Sequence, residues 1–250
     1  MVTIAHASID ENGKIKGGKA GDQTGKEVCT RAWYNKPWDY VIRFKDKDKA
    51  EKVAYAMKAA AGNPCIGYNQ NRRNSALQLA SHAGYDPGKI KQDCDTDCSA
   101  LVSLACIYAG IPEQTMTPGG NSCTTANLRQ VLENTGLVEV FSDKEHTQKD
   151  YLLEVGDILL RAGHHVAVVV DTGTKTVKKE TPRPNPLPDL KYGDKGQAVK
   201  YLQEQLIKRG YSVGLYGADG DYGTGTLKGL LDFIRDQKCL TVTKEIWDKI

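Results

Sequence analysis

Pro182, Pro184, Pro186 and Pro188 stand at every second position of KKETPRPNPLPD, residues 178–189. Proline fixes φ near −65° and lacks a backbone N–H, so neither a helix nor a central strand can cross such a stretch. The segment reads as an extended, semi-rigid spacer. It divides the chain into a front domain, residues 1–177, and a tail, residues 190–250. A chain of 250 residues is long enough to give each part a core.

The 34 basic and 31 acidic residues leave a formal net charge of +3. That is too mild to point to nucleic acid, where clustered Lys and Arg are expected. No apolar run approaches the roughly 18 residues that a membrane span needs. The start, MVTIAHASIDENGKIKGG, has no basic segment followed by an apolar one, so synthesis and initial residence in the cytoplasm are expected. Seven scattered cysteines, an odd number, suit reduced thiols better than a disulfide framework.

The tail patterns as helix. In GQAVKYLQEQLIKRG, Val199, Leu202, Leu206 and Ile207 share one face and Gly210 is a stop. In TLKGLLDFIRDQ, Leu227, Leu230, Leu231 and Ile234 fall at i, i+3, i+4 and i+7, with Thr224 or Thr226 as N-cap. A short last helix would carry Ile246, Trp247 and Ile250. Between the first two lies the glycine-rich turn YGADGDYGTGT. LKYGDKGQAVKYLQEQLIKRGYSV followed by ADGDYGTGT resembles the three-helix peptidoglycan-binding domain appended to many cell-wall hydrolases. Near the end the chain departs from that family: the usual Gly-rich turn before the final Thr-Trp is cut to CLTVTKEIW. Asp219 and Tyr222 either shape the turn or line a binding groove beside it.

In the front domain, Val28, Trp33, Tyr34, Trp38, Tyr40 and Ile42 form the most aromatic stretch, read as core before sugar platform. Helices are expected at about 48–61 and 72–83, with His82 placed to suit the dipole of the second. His6 and His146 lie in polar surroundings and receive no role.

DCDTDCSALVSLACIY, residues 93–108, is the stretch richest in chemistry. From Ser99 it is helical, with Leu101, Val102, Ala105 and Cys106 as a buried stripe and Gly110-Ile111-Pro112 as the stop. Asp97, or Thr96, is the N-cap, so Cys98 lies in the first turn. There the free N–H groups and the positive end of the helix favour thiolate, as a cysteine nucleophile requires. The base is sought in YLLEVGDILLRAGHHVAVVVDTG, a strand, a loop and a β-branched strand. Strand neighbours face opposite ways, so only one of His164 and His165 meets the site; His165 is preferred. A hairpin at Asp171–Thr174 would bring Glu180 opposite His165 as the orienting third residue.

Asp97-Cys98-Ser99 opening an apolar helix, with Gly156-Asp157 before His165-Val166 on a strand, resembles the papain-like cell-wall hydrolases of the NlpC and CHAP families. The resemblance implies an α+β fold in which helices pack on a small antiparallel sheet. It implies Cys98 as nucleophile and His165 as base, while Glu180 rests on the hairpin alone. GGKAGDQTGKEVCTRAWYNKPW is similar to the start of endolysins from phages of Gram-positive bacteria, and its Asp22, Gln23 and Trp33 are candidates to line the cleft. The expected activity is cleavage of an amide in the peptidoglycan stem peptide, as an endopeptidase or, alternatively, as an N-acetylmuramoyl-L-alanine amidase. A lysin of this kind is made in the host cytoplasm and reaches the wall after release.

Rival readings remain for the same stretch. Cys94, Cys98 and a histidine would supply three ligands to an open zinc site. Asp93, Asp95 and Asp97 alternate like the first ligands of a calcium loop but lack its glycine and closing Glu; calcium is the lesser alternative to no cofactor. An inactive front domain on a protein that only binds cell wall is the non-enzymatic alternative.

Overall fold

A computed structural model describes residues 1–36, 38–173, 183–214, 217–237 and 248. The chain divides into two compact units, Met1–Thr174 and Lys175–Ile250. Among the described residues no helix is long and apolar enough to cross a membrane.

In the first unit the strands are β1 (Thr3–Ala7), β2 (Val28–Ala32), β3 (Tyr40–Phe44), β4 (Ile66–Tyr68), β5 (Cys94–Thr96), β6 (Val138–Phe141), β7 (Ile158–Arg161) and β8 (His165–Asp171). The helices are α1 (Lys47–Ala61), α2 (Ser75–Ser81), α3 (Cys98–Tyr108), α4 (Glu113–Met116), α5 (Leu128–Asn134) and α6 (Lys144–Thr147). Six strands form one antiparallel sheet in the order β2-β1-β8-β7-β3-β6, and β4 and β5 form a separate parallel pair. The unit is mixed helix and antiparallel sheet, compatible with the α+β expectation.

Alternation along the strands separates two cores. Ala5, Ala7, Ile42, Phe44, Ile158, Leu160, Val166, Val168 and Val170 join the core that holds the buried faces of α1 and α3. Ile4, Val41, Leu159, Ala167 and Val169 face the other way, onto Val2, Trp38 and Leu153. The sheet is thus covered on both faces, which explains the near-continuous apolar run of β8. Helix α3 is buried at every position but Tyr108, as its run of small and apolar residues allows.

Gly156 enters β7 at φ +89°, where a Cβ would stand 2.4 Å from the Ala50 carbonyl oxygen of α1. Only glycine lets strand and helix approach so closely there. Beside it the buried Asp157 takes two bonds from Arg43, at 2.8 and 2.7 Å, and accepts the Glu154 N–H at 2.7 Å. The Gly-Asp pair seen in the sequence therefore joins β7 to β3 and α1.

The 72–83 helix expected from the sequence begins later: Gln70–Arg72 is a tight 3-10 turn and α2 runs Ser75–Ser81, with His82 as its C-cap. Strands β1 to β6 were not anticipated, among them the short β5 that runs straight into α3. The two edges of β8 are taken by β7 and β1, while residues 174–182, with Glu180, lie outside the described residues.

The second unit contains α7 (Gln197–Lys208) and α8 (Thr224–Gln237). Val199, Leu202 and Leu206 pack with Val213, Tyr222, Leu230, Phe233 and Ile234. Leu231, expected on the apolar face, is 55 % exposed, and Phe233 takes the buried place. The face of α8 is rotated because Phe233 offers more apolar area to the core than Leu231. The predicted third helix, with Ile246, Trp247 and Ile250, lies outside the described residues.

Candidate active site

Asp97 sits in extended backbone and its Oδ1 accepts the Ala100 N–H at 2.7 Å, so it is the N-cap of α3. Arg73, from the turn before α2, grips the same carboxylate with Nε at 2.5 Å and Nη2 at 3.1 Å. Its remaining N–H groups reach Ser99 Oγ and the carbonyls of Ser122 and Cys123. The start of α3 is thereby tied to two other segments, and Cys98 is held with it. Arg73 has no sequence signal beyond its basic character in NRRN; only the fold shows its task.

Cys98 is 6 % exposed, and backbone N–H groups of Val166 and Ser99 act on its thiol. The first follows from strand geometry. Val169 donates its N–H to Asp157 and accepts from Gly156, so odd residues of β8 turn their N–H toward β7 and even ones toward β1. Pairing of β1 with β8 runs from Thr3↔Asp171 only to Ala5↔Val168. Beyond that point β1 and β8 are no longer paired, and the Val166 N–H favours the thiolate of Cys98.

His165 begins β8 on the face of Ala167 and Val169, stacked beside Trp38 with ring centroids 6.2 Å apart. Its Nε2 is 2.9 Å from Nδ1 of His6 on β1. In the register of β1 and β8, His6 would oppose Ala167, which makes His165 its diagonal neighbour on the same face. The imidazole pair therefore bridges the opening of the two strands. Cys98 approaches from α3, whose core takes Val166, while His165 turns to the opposite face of β8. Thiol and imidazole are not hydrogen-bonded to each other in this arrangement. His164 is turned into the β7–β8 loop, its N–H on the Arg161 carbonyl.

The electrostatics differ from the sequence expectation. Burial pushes the Cys98 thiol up to about 12, helped by the Asp97 charge; the N–H groups of Val166 and Ser99, and Arg73, oppose this and lose. A helix N-terminus lowers a thiol's pKa only where desolvation is smaller than the dipole's gain. Burial likewise brings His165 down to about 4, with repulsion from Lys36 and Arg31 added. His6 falls to about 3 by burial and by its neighbours His165 and Arg31. At neutral pH the Cys98 thiol and both imidazoles are uncharged. His6 was given no role from the sequence; the alternation in TIAHA, which sets Ile4 and His6 on one strand face, was the available signal.

The other candidates are placed elsewhere. Asp22 accepts the N–H groups of Thr24 and Gly25, and Gln23 donates to the carbonyls of Ala20 and Gly21, so both shape a turn. Trp33 packs against the outer core with its indole N–H buried and unpaired. Asp219 accepts from Gln203 at 2.8 Å and from the Asp221 N–H, and Tyr222 is buried in the tail's core. Cys94 is buried, its sulfur on the Cys65 carbonyl. Asp95 pairs with Arg72 and Asp97 with Arg73, so the alternating acids turn to separate partners. Among the described residues no group of three or more His, Cys, Asp or Glu side chains is arranged to hold a metal ion.

These features define a domain of helices and antiparallel sheet in which α3 begins at a capped, buried cysteine and a histidine pair links β1 and β8. The family model of the endolysin-like domain matches residues 4–176. The chain belongs to the endolysin-like domain family. That membership supports a phage cell-wall hydrolase acting on peptidoglycan in general. No curated protein and no solved structure matches the chain.

Proposed function

We propose that the front domain hydrolyses an amide of the peptidoglycan stem peptide by cysteine chemistry, as the catalytic part of a phage endolysin. The reading is supported by the capped start of α3 at Cys98 and by the Val166 N–H, next to His165, favouring the Cys98 thiolate where β1 and β8 part. The mechanism takes the tautomer in which His165 Nε2–H donates across the 2.9 Å contact to His6 Nδ1, so that the lone pair of His165 Nδ1 is left to accept a proton. His6 thus takes the orienting role that the sequence suggested for Glu180.

With the thiol at about 12 and His165 at about 4, moving the proton before attack would cost on the order of 10 kcal/mol. Transfer to His165 therefore accompanies S–C bond formation. The sulfur attacks the carbonyl, and the oxyanion takes the Cys98 N–H, a contribution of roughly 3 kcal/mol in comparable sites. Imidazolium returns the proton to the leaving amine and the C–N bond breaks. Water, deprotonated by the same imidazole, then releases the acyl group and restores the thiol.

The residues at this site do not select which amide is cut. We favour an endopeptidase, with the muramoyl-alanine amidase as alternative. The tail would hold the enzyme on the wall and raise its effective concentration there. Mass spectrometry of digested peptidoglycan tests the reading. New amino termini within the stem identify an endopeptidase, and released intact stems an amidase. Undiminished digestion by Cys98→Ala would overturn the cysteine mechanism and leave the wall-binding alternative or another nucleophile. Activity unaffected by EDTA is expected of a mechanism without a metal.

A further inference from the structure

Arg31 is the last residue but one of β2 and Lys36 lies in the loop that follows, both exposed. The Arg31 guanidinium carbon stands 4.6 Å from the centroid of the Tyr34 ring and the Lys36 Nζ 5.7 Å from the same ring. Two long, mobile cations are thus gathered on one half-buried aromatic platform. No carboxylate among the described residues forms an ion pair with either. The nearby acids are engaged otherwise: Asp22 caps its own turn and Asp39 accepts the Ala162 N–H at 2.8 Å.

The platform adjoins the histidine pair. Arg31 faces Ile4 and Cys29 faces His6 across the β1–β2 ladder, so Arg31 shares the sheet face of His6. Tyr34 stacks near Trp38, at 5.7 Å between centroids, and Trp38 near His165. Both cations act on His165 and Arg31 also on His6, in each case against protonation. In the mechanism above His165 must become a cation, and two unpaired positive charges beside it oppose that step. An anion held by the pair would remove the opposition when substrate binds and supply affinity at the same time.

We propose that Arg31 and Lys36, braced on Tyr34, form a subsite for a free carboxylate of the stem peptide, beside the His6–His165 pair. The proposal rests on the reading of this domain as one that acts on the peptide part of peptidoglycan. It adds that the preferred substrate carries the negative charge and that the amidated form of the same peptide is a poorer ligand.

The test uses the full chain with Cys98→Ala and two soluble stem peptides that differ only in having their carboxylates free or amidated. Equilibrium binding is followed through tryptophan fluorescence. The expected result is binding of the acid at least about tenfold tighter than the amide at low salt. That preference should shrink as NaCl is raised, and fall to about one in Arg31→Gln/Lys36→Gln. Lys36→Gln alone, at an exposed loop position, should lower it part of the way. Equal affinities for acid and amide, or a preference that survives the double substitution, overturn the proposal. Because the readout is binding, it decides the subsite even if Cys98 proves not to be the nucleophile. Conversely, loss of hydrolysis in Cys98→Ala with no acid preference keeps the mechanism and removes the subsite.

Discussion

Acid should weaken the front domain through the buried His6 and the half-buried His165. His6 and His165 titrate at about 3 and about 4 in the folded chain, against 6.5 for a free side chain. Between those values the unfolded chain binds the protons and the folded one does not, so their contribution is present above about 6.5 and lost as pH falls toward 3. At pH 4.5 each free histidine is almost wholly protonated while His6 and His165 stay mostly neutral. Integrating the linkage gives about 2.5 kcal/mol for each, or about 5 kcal/mol together. That is comparable with the whole stability of a marginal domain. Urea unfolding at pH 8 and pH 4.5 measures it, read by tryptophan fluorescence in a Trp247→Phe background so that Trp33 and Trp38 report. The wild type should lose about 5 kcal/mol more between the two pH values than His6→Gln/His165→Gln, which has nothing to protonate at these sites. An equal loss in both proteins would refute the reasoning, as would NMR titration of either ring near 6.5.

The same protonation controls the proposed chemistry: kcat/KM should rise through an acid limb near pH 4 and stay level through neutrality, a limb near 6.5 being the contrary result. Asp97→Ala removes the cap of α3 and the carboxylate partner of the partly buried Arg73, a loss of roughly 1–3 kcal/mol by urea midpoint, with Asp97→Asn milder because it can still cap. Gly156→Ala should cost roughly 2 kcal/mol or more in thermal unfolding, since its Cβ would strike the Ala50 carbonyl and its φ is positive.

How far the site was legible depended on how local its causes are. The start of α3 at Cys98 followed from Asp97 and the apolar run after it, because a cap and a periodic stripe are set within one or two turns. The strand from His165 was readable from its β-branched residues. The depressed thiol pKa expected at that helix start was not found, because α3 is buried on nearly every side and desolvation exceeds the dipole. His6 went unassigned because its meaning depends on β1 lying beside β8, some 160 residues away in the chain. Leu231 was assigned inward by spacing alone, yet its neighbour Phe233 was the better fit for the tail's core.

The sequence alone determined what depends on neighbours along the chain: the capped helix carrying Cys98, the apolar strand after His165 and the helical patterning over α7 and α8. Tertiary structure alone decided which strand lies next to β8 and where their ladder opens. From those two facts came the His6–His165 pair and the effect of the Val166 N–H on Cys98. Strand pairing is chosen by burial on both faces of a whole sheet, a sum over distant residues that no window of sequence contains.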